Sequence, residues 1–150
     1  MRKTQAFTLI ELLVVIAIIG LLSSLAVVSL GNIREKGRDT KRLSDMDAVK
    51  TAMELVNNDH GGYKTGLGCV SGALHSCVNG YLEASLPTIK NLIDPAGTAV
   101  CATGCTSVCD YNLIALTESS YRIIFYLENG AGQFKDKGCY ALTEKGIVKL

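Results

Sequence analysis

From Leu12 to Ile33 the chain runs for 22 residues without a charge. At a helical rise of about 1.5 Å per residue such a run extends about 33 Å, enough to cross a hydrocarbon layer about 30 Å thick. A helix that is apolar on every side needs lipid or other helices around it, so this stretch dominates what the chain can fold into. A short basic leader, Met1-Arg-Lys-Thr-Gln-Ala6, precedes the run, and one carboxylate, Glu11, stands in its first turn. The run is longer than the apolar core of a secretory signal and no clear A-x-A site ends it, which points to a retained segment.

The six cysteines, Cys69, Cys77, Cys101, Cys105, Cys109 and Cys139, all fall after the span. An even number confined to one side of a membrane fits an oxidising compartment, where disulfides would staple a domain too small to bury a large core. Cys69 and Cys77 close a small loop, and Cys139 is expected to join one of the three clustered thiols. A zinc reading would use those three with His75 or Cys139, but the C-x-x-x-C-x-x-x-C spacing is not that of a ribbon or finger, so no metal is expected. The net charge of +1, with 6% aromatic residues and no Trp, gives no case for a nucleic-acid partner. No nucleophile elbow, phosphate-binding glycine loop or EF-hand pattern occurs, so neither an enzyme nor a cofactor is expected.

Glu11 has two physical readings. Thr8-x-x-Glu11 has the form of a capping box, in which Thr8 and Glu11 satisfy each other's backbone amides at a helix start. Glu11 is also an ionisable group among Leu9, Ile10, Leu12 and Leu13, where a carboxylate seeks a cation. If the chain were cut after Ala6, the new amine of Phe7 would supply one, on the same or a neighbouring subunit.

The stretch Ala6-Phe-Thr-Leu-Ile-Glu-Leu-Leu-Val-Val-Ile-Ala-Ile-Ile-Gly20 resembles the N-terminal methylation motif of type IV pilins and type II secretion pseudopilins. The resemblance implies cleavage between Ala6 and Phe7, methylation of Phe7, and an assembly role for Glu11. The residue before the cut is usually Gly in that family and is Ala6 here. Many pilins carry a helix-kinking Pro where Val28 stands, so bending here would fall at Gly20, Ser23-Ser24 and Gly31. The implied function is a structural filament subunit of a type IV pilus or secretion pseudopilus; the alternative is an anchored extracytoplasmic binding module that does not polymerise. The implied partners are other copies and minor pilins, a prepilin peptidase and N-methyltransferase, an inner-membrane platform protein, an assembly ATPase and the bilayer. The implied location is the inner membrane with the C-terminal domain extracytoplasmic, then a periplasmic or surface filament. Some major pseudopilins bind calcium in a C-terminal loop; the corresponding stretch, Glu128 to Asp136, carries two carboxylates and one Lys, a thin donor set.

The Lys and Arg count points the other way on topology. Arg34, Lys36, Arg38, Lys41 and Arg42 follow the span, against Arg2, Lys3 and the terminal amine before it, and the count alone would place the C-terminal side in the cytoplasm. The cysteines and the resemblance outweigh it, because the downstream cations are interleaved with Glu35 and Asp39.

Beyond Asn32 the pattern becomes one-sided, with Leu43, Met46, Val49, Met53 and Val56 at helical spacing. No Pro precedes Pro87, so one helix is expected from Phe7 to about Asn58, ending at Gly61-Gly62. Arg34, Arg38 and Arg42 line the other face with Glu35 and Asp39, read as a solvated, self-paired stripe or one that meets lipid headgroups or neighbouring helices. Residues 59–109 read as a Cys-rich connection, with a short helical turn at Asn91 to Ile93. Strands are expected at Asp110–Leu116, Tyr121–Glu128 and Cys139–Thr143, with a final segment Ile147–Leu150. The expected fold is α+β and pilin-like: leader 1–6, assembly helix 7–33, amphipathic continuation 34–58, loop 59–109 and antiparallel sheet 110–150.

Overall fold

The computed structural model describes residues 7–150, with all side chains except those of residues 26–29. The leader, Ala6 included, lies outside the described residues. Helix α1 runs Leu9–His60. Thr8 caps its start, and Gly61 ends it in the left-handed region at φ +73° with its amide on the Asn57 carbonyl at 2.9 Å. The chain forms two units that meet in sequence at Arg34 and Glu35.

In the first unit the helix carries an 18-residue window of mean hydropathy 2.8, none of which is buried. Leu9, Ile10, Leu21 and Leu25 are each about two-thirds or more exposed. Soluble monomers rarely present apolar surface this continuous.

The second unit is a meander. Strands β1 (Gly72–Ala73), β2 (Asn112–Leu116), β3 (Tyr121–Leu127), β4 (Gly138–Thr143) and β5 (Gly146–Lys149) lie in that order, each antiparallel to the next. Side-chain alternation divides the sheet. Leu113, Ile123, Phe125, Leu127, Tyr140 and Leu142 share a core with Met46, Val49, Met53 and Val56 of α1. Ile124, Ala141 and Cys139 point the opposite way, into a smaller core with Cys101 and Cys109, bordered by Ile114, Tyr126 and Cys105. Burying a large apolar side chain contributes about 1.5–3 kcal/mol, so the helix-side cluster carries most of the stability.

The strands begin and end within two residues of the expected bounds. Three short elements in the connection were not expected: β1, a helix α2 (Tyr81–Ser85) and a 3-10 turn Leu74–Ser76. The helical turn expected at Asn91 falls at Ile89–Asn91. The two 3-10 turns and α2 are each anchored by one buried side chain, Leu74, Leu82 or Ile89, with no polar cap, so tertiary burial holds them in place.

Candidate assembly site and buried charge cluster

At the start of α1 the Thr8–Glu11 pair forms a complete capping box. Glu11 Oε2 accepts from the Thr8 amide at 2.8 Å and from the Thr8 hydroxyl at 2.7 Å, while the Glu11 amide donates to Thr8 Oγ1 at 3.3 Å. All three groups are exposed. Glu11 Oε1 takes no hydrogen bond from the described residues. The cap therefore fixes the side chain while leaving one carboxylate oxygen for another cation. Phe7, Ile10, Val14 and Val15 surround it with apolar surface.

Arg34 is exposed and Asp39 does pair with Arg42, but from Arg38 onward the charged stripe on α1 is not a solvated face. Arg42 and Asp39 are fully buried. Arg42 grips Asp94 through two parallel bonds, Nε to Oδ2 at 2.6 Å and a terminal nitrogen to Oδ1 at 2.8 Å. Its other terminal nitrogen donates to Asp39 at 2.7 Å and to Glu128 at 2.6 Å. Arg38 pairs with Glu128, at 2.7 and 2.5 Å, rather than with Glu35. Asp39 accepts three successive backbone amides, those of Glu128, Asn129 and Gly130, at 2.9, 2.7 and 2.8 Å. Its carboxylate thus fills an anion nest in the β3–β4 loop. Gly130 is needed there: it sits at φ +78°, and a Cβ would run into the Phe134 carbonyl. Asn129 also donates to Glu35.

Electrostatics follows this geometry. The hydrogen bond from Arg38, then that from Arg42, holds the Glu128 carboxyl below the ordinary glutamate range despite partial burial. Burial opposes the charge on Arg42, but Asp94, Glu128 and Asp39 together raise its pKa further above the ordinary arginine value. Tyr111, buried and donating to Asp45 at 2.9 Å, has its phenol pushed well up by burial and by that carboxylate. Lys41 closes on the same Asp45 at 2.8 Å. Sequence reasoning missed Asp94, Asp45 and Tyr111. For Asp94 a signal existed, because Asp94-Pro-Ala-Gly97 is an Asx-type turn in which Asp94 Oδ1 accepts from Ala96 and Gly97 at 2.8 and 2.7 Å.

The six cysteines form three disulfides: Cys69–Cys77, Cys101–Cys109 and Cys105–Cys139. The sulfurs of Cys101, Cys105 and Cys109 lie within 4.8 Å of one another, a separation a metal could use, but each is already bonded to another sulfur. His75, the other donor considered, places Nδ1 3.1 Å from Asp110 Oδ2. The pairing ties residues 101–109 to β4 over the outer face of the sheet.

The described residues thus combine an exposed apolar helix, a capped carboxylate at its start and a disulfide-tied α+β unit. A family model described as the prokaryotic N-terminal methylation motif matches residues 1–27. Type II secretion system core protein G of Aeromonas hydrophila is 39% identical over 64 residues, 43% of this chain and 45% of that protein. Its counterpart in Escherichia coli K12 is 41% identical over 63 residues, 42% of this chain and 43% of that protein. Prepilin peptidase-dependent protein D of the same strain is 37% identical over 97 residues, 65% of this chain and 66% of that protein. The chain therefore belongs to the type IV pilin and type II secretion pseudopilin family. It spans under half the length of the core protein G relatives that it matches. No solved structure matches.

Proposed function

We propose that the chain is a structural, non-enzymatic subunit of a type II secretion pseudopilus or type IV pilus-like filament, inserted in the inner membrane before assembly. The observation that carries this reading is the helix before Glu35: continuously apolar, unburied, and opened by a single carboxylate with one free oxygen. Cleavage between Ala6 and Phe7, with methylation of the new terminus, makes Phe7 the first residue. Its amine then meets Glu11 of an adjacent copy as both helices leave the lipid, which keeps a carboxylate out of hydrocarbon unpaired. Thr8 holds Glu11 in place through the cap. The head would face the periplasm, where its disulfides form. The peptidase, platform protein, ATPase and minor pilins are the partners this reading requires.

Mass spectrometry of membrane-extracted protein tests it: a mature chain beginning at Phe7 with one added methyl is expected, and an intact Met1 refutes processing. Glu11→Ala should still insert in the membrane and should fail to form ordered filaments. Filaments of normal yield and register from that variant would refute the role given to Glu11.

A further inference from the structure

Some of the cations after the span are held in ion pairs and others are not. Arg38, Lys41 and Arg42 are committed to Glu128, Asp45, Asp94 and Asp39, and Lys149 to Asp136. Lys36, Lys135 and Lys137 are exposed and form no ion pair with the described residues. Two of them line one pocket of about 450 Å³, formed by Lys36 and Thr40 on α1, the Asn129–Gly132 loop, and Lys135.

The pocket wall is fixed. Asp39 holds the amides of residues 128–130 from behind, and Asn129 is tied to Glu35. The acids nearest in sequence are already engaged: Glu128 by two arginines, Asp136 by Lys149, and Glu35 by Asn129. What remains is an open, positively charged recess. Lys36 stands three residues beyond Ile33, the end of the uncharged run, which is about 4.5 Å along a helix. In an inserted chain this is the depth of the headgroup phosphates.

We propose that this pocket binds the phosphate of an anionic phospholipid headgroup, with Lys36 and Lys135 as its ligands. The proposal rests on the membrane reading above. It makes the headgroup a depth stop for the unassembled subunit, released when the helix leaves the bilayer.

The test uses the full chain in nanodiscs of mixed phosphatidylcholine and phosphatidylglycerol, with retained lipid counted by native mass spectrometry. Phosphatidylglycerol should be retained in preference. Lys36→Gln with Lys135→Gln should reduce that preference by about fivefold per lysine removed. Lys64→Gln with Lys90→Gln, two exposed lysines outside the pocket, should leave it unchanged. Equal retention in the pocket variant and the parent overturns the proposal. So does an unchanged lipid preference in a pocket variant that no longer forms filaments, since the pocket would then receive a carboxylate of a neighbouring copy. Displacement of phosphatidylglycerol by millimolar inorganic phosphate, with phosphate itself retained, overturns it in favour of a free-anion site. Release of the chain from vesicles by alkaline wash would count against membrane insertion itself, whereas an inserted chain with no lipid preference counts against the pocket alone.

Discussion

Arg42→Met separates ion pairing from packing as the force that joins α1 to the loops. Methionine keeps much of the aliphatic stem and removes four hydrogen bonds, two to Asp94, one to Asp39 and one to Glu128. The anions left behind are not equally stranded. Glu128 keeps Arg38, and Asp39 keeps three amides. Asp94 keeps the Ala96 and Gly97 amides but loses the one cation it has among the described residues while fully buried at the side chain. Removing one member of a buried pair costs about 3–5 kcal/mol, and the retained amides place this case near the lower end, about 3 kcal/mol. At about 4 °C per kcal/mol for a head of this size, the midpoint should fall by about 12 °C. Thermal unfolding of the full chain in detergent, followed by near-ultraviolet circular dichroism, reads the buried Tyr111, Tyr121 and Tyr140 directly. Arg42→Lys keeps the charge but not the two-pronged grip on Asp94, and should lose about half as much. A fall of under about 3 °C in the Met variant would refute the argument, because the stem's packing would then suffice.

Acid should weaken the same cluster: Glu128 has a lowered folded pKa, so its contribution is complete above the unfolded value of about 4.3 and disappears as pH falls through the folded value. A melting midpoint that stays flat from pH 6 to about pH 3 would count against this. At the alkaline end Tyr63, buried and bonded to Glu54, is pushed up to about 12, so ultraviolet titration should find its phenol still protonated when free tyrosine has ionised. Each carboxylate between Glu128 and Asp136 already has a cation, so a chelator should leave the midpoint unchanged; a rise on adding calcium would show a donor set the ion pairs do not occupy. Replacing Cys105 and Cys139 with Ala opens a closure of 34 residues, worth about 4 kcal/mol by chain entropy, against about 2.5 kcal/mol for the 8-residue Cys69–Cys77 closure. Comparing the two double variants in guanidinium checks the order, and a larger loss from the short closure would contradict it.

Local patterns in the sequence revealed the long helix and the sheet, because both depend on periodicity. The 3.6-residue stripe from Leu43 to Val56 does meet the sheet, and the alternation in Tyr121–Leu127 does separate two faces. The charged stripe misled because Asp39 and Arg42, three residues apart, satisfy the rule for a surface pair. Their burial depends on Asp94 and Glu128, which lie 52 and 86 residues beyond Arg42, and no local window contains that information. The short helical elements between residues 74 and 91 were hidden for a related reason: they have no side-chain caps and are held by Leu74, Leu82 and Ile89 reaching the core. The partner of Cys139 could not be chosen by spacing, since Cys101, Cys105 and Cys109 recur every four residues in one segment and nothing local distinguishes them.

The buried cluster also bears on the orientation of the chain. Five Lys and Arg residues just beyond the span oppose an extracytoplasmic head if each is counted as a free topological signal. Arg38 and Arg42 are not free to vary in that way: the fold needs them to hold Glu128, Asp94 and Asp39, and through Asp39 the β3–β4 loop. If the head is extracytoplasmic, as proposed, pairing in the folded state does not lower the cost of moving these residues across the bilayer unfolded. What the pairing does explain is why a folded head would need these cations whichever side of the membrane it occupies. Their number reflects a requirement of the head, and it therefore carries less information about orientation than the same count in an unstructured loop. With Lys41 paired to Asp45, Arg34 and Lys36 are the two left over for the interface. Neutralising Arg38 and Arg42 should accordingly unfold the head without changing which side of the membrane it occupies, and a protease-protection assay on Arg38→Gln with Arg42→Met would detect an inversion if the count still governed.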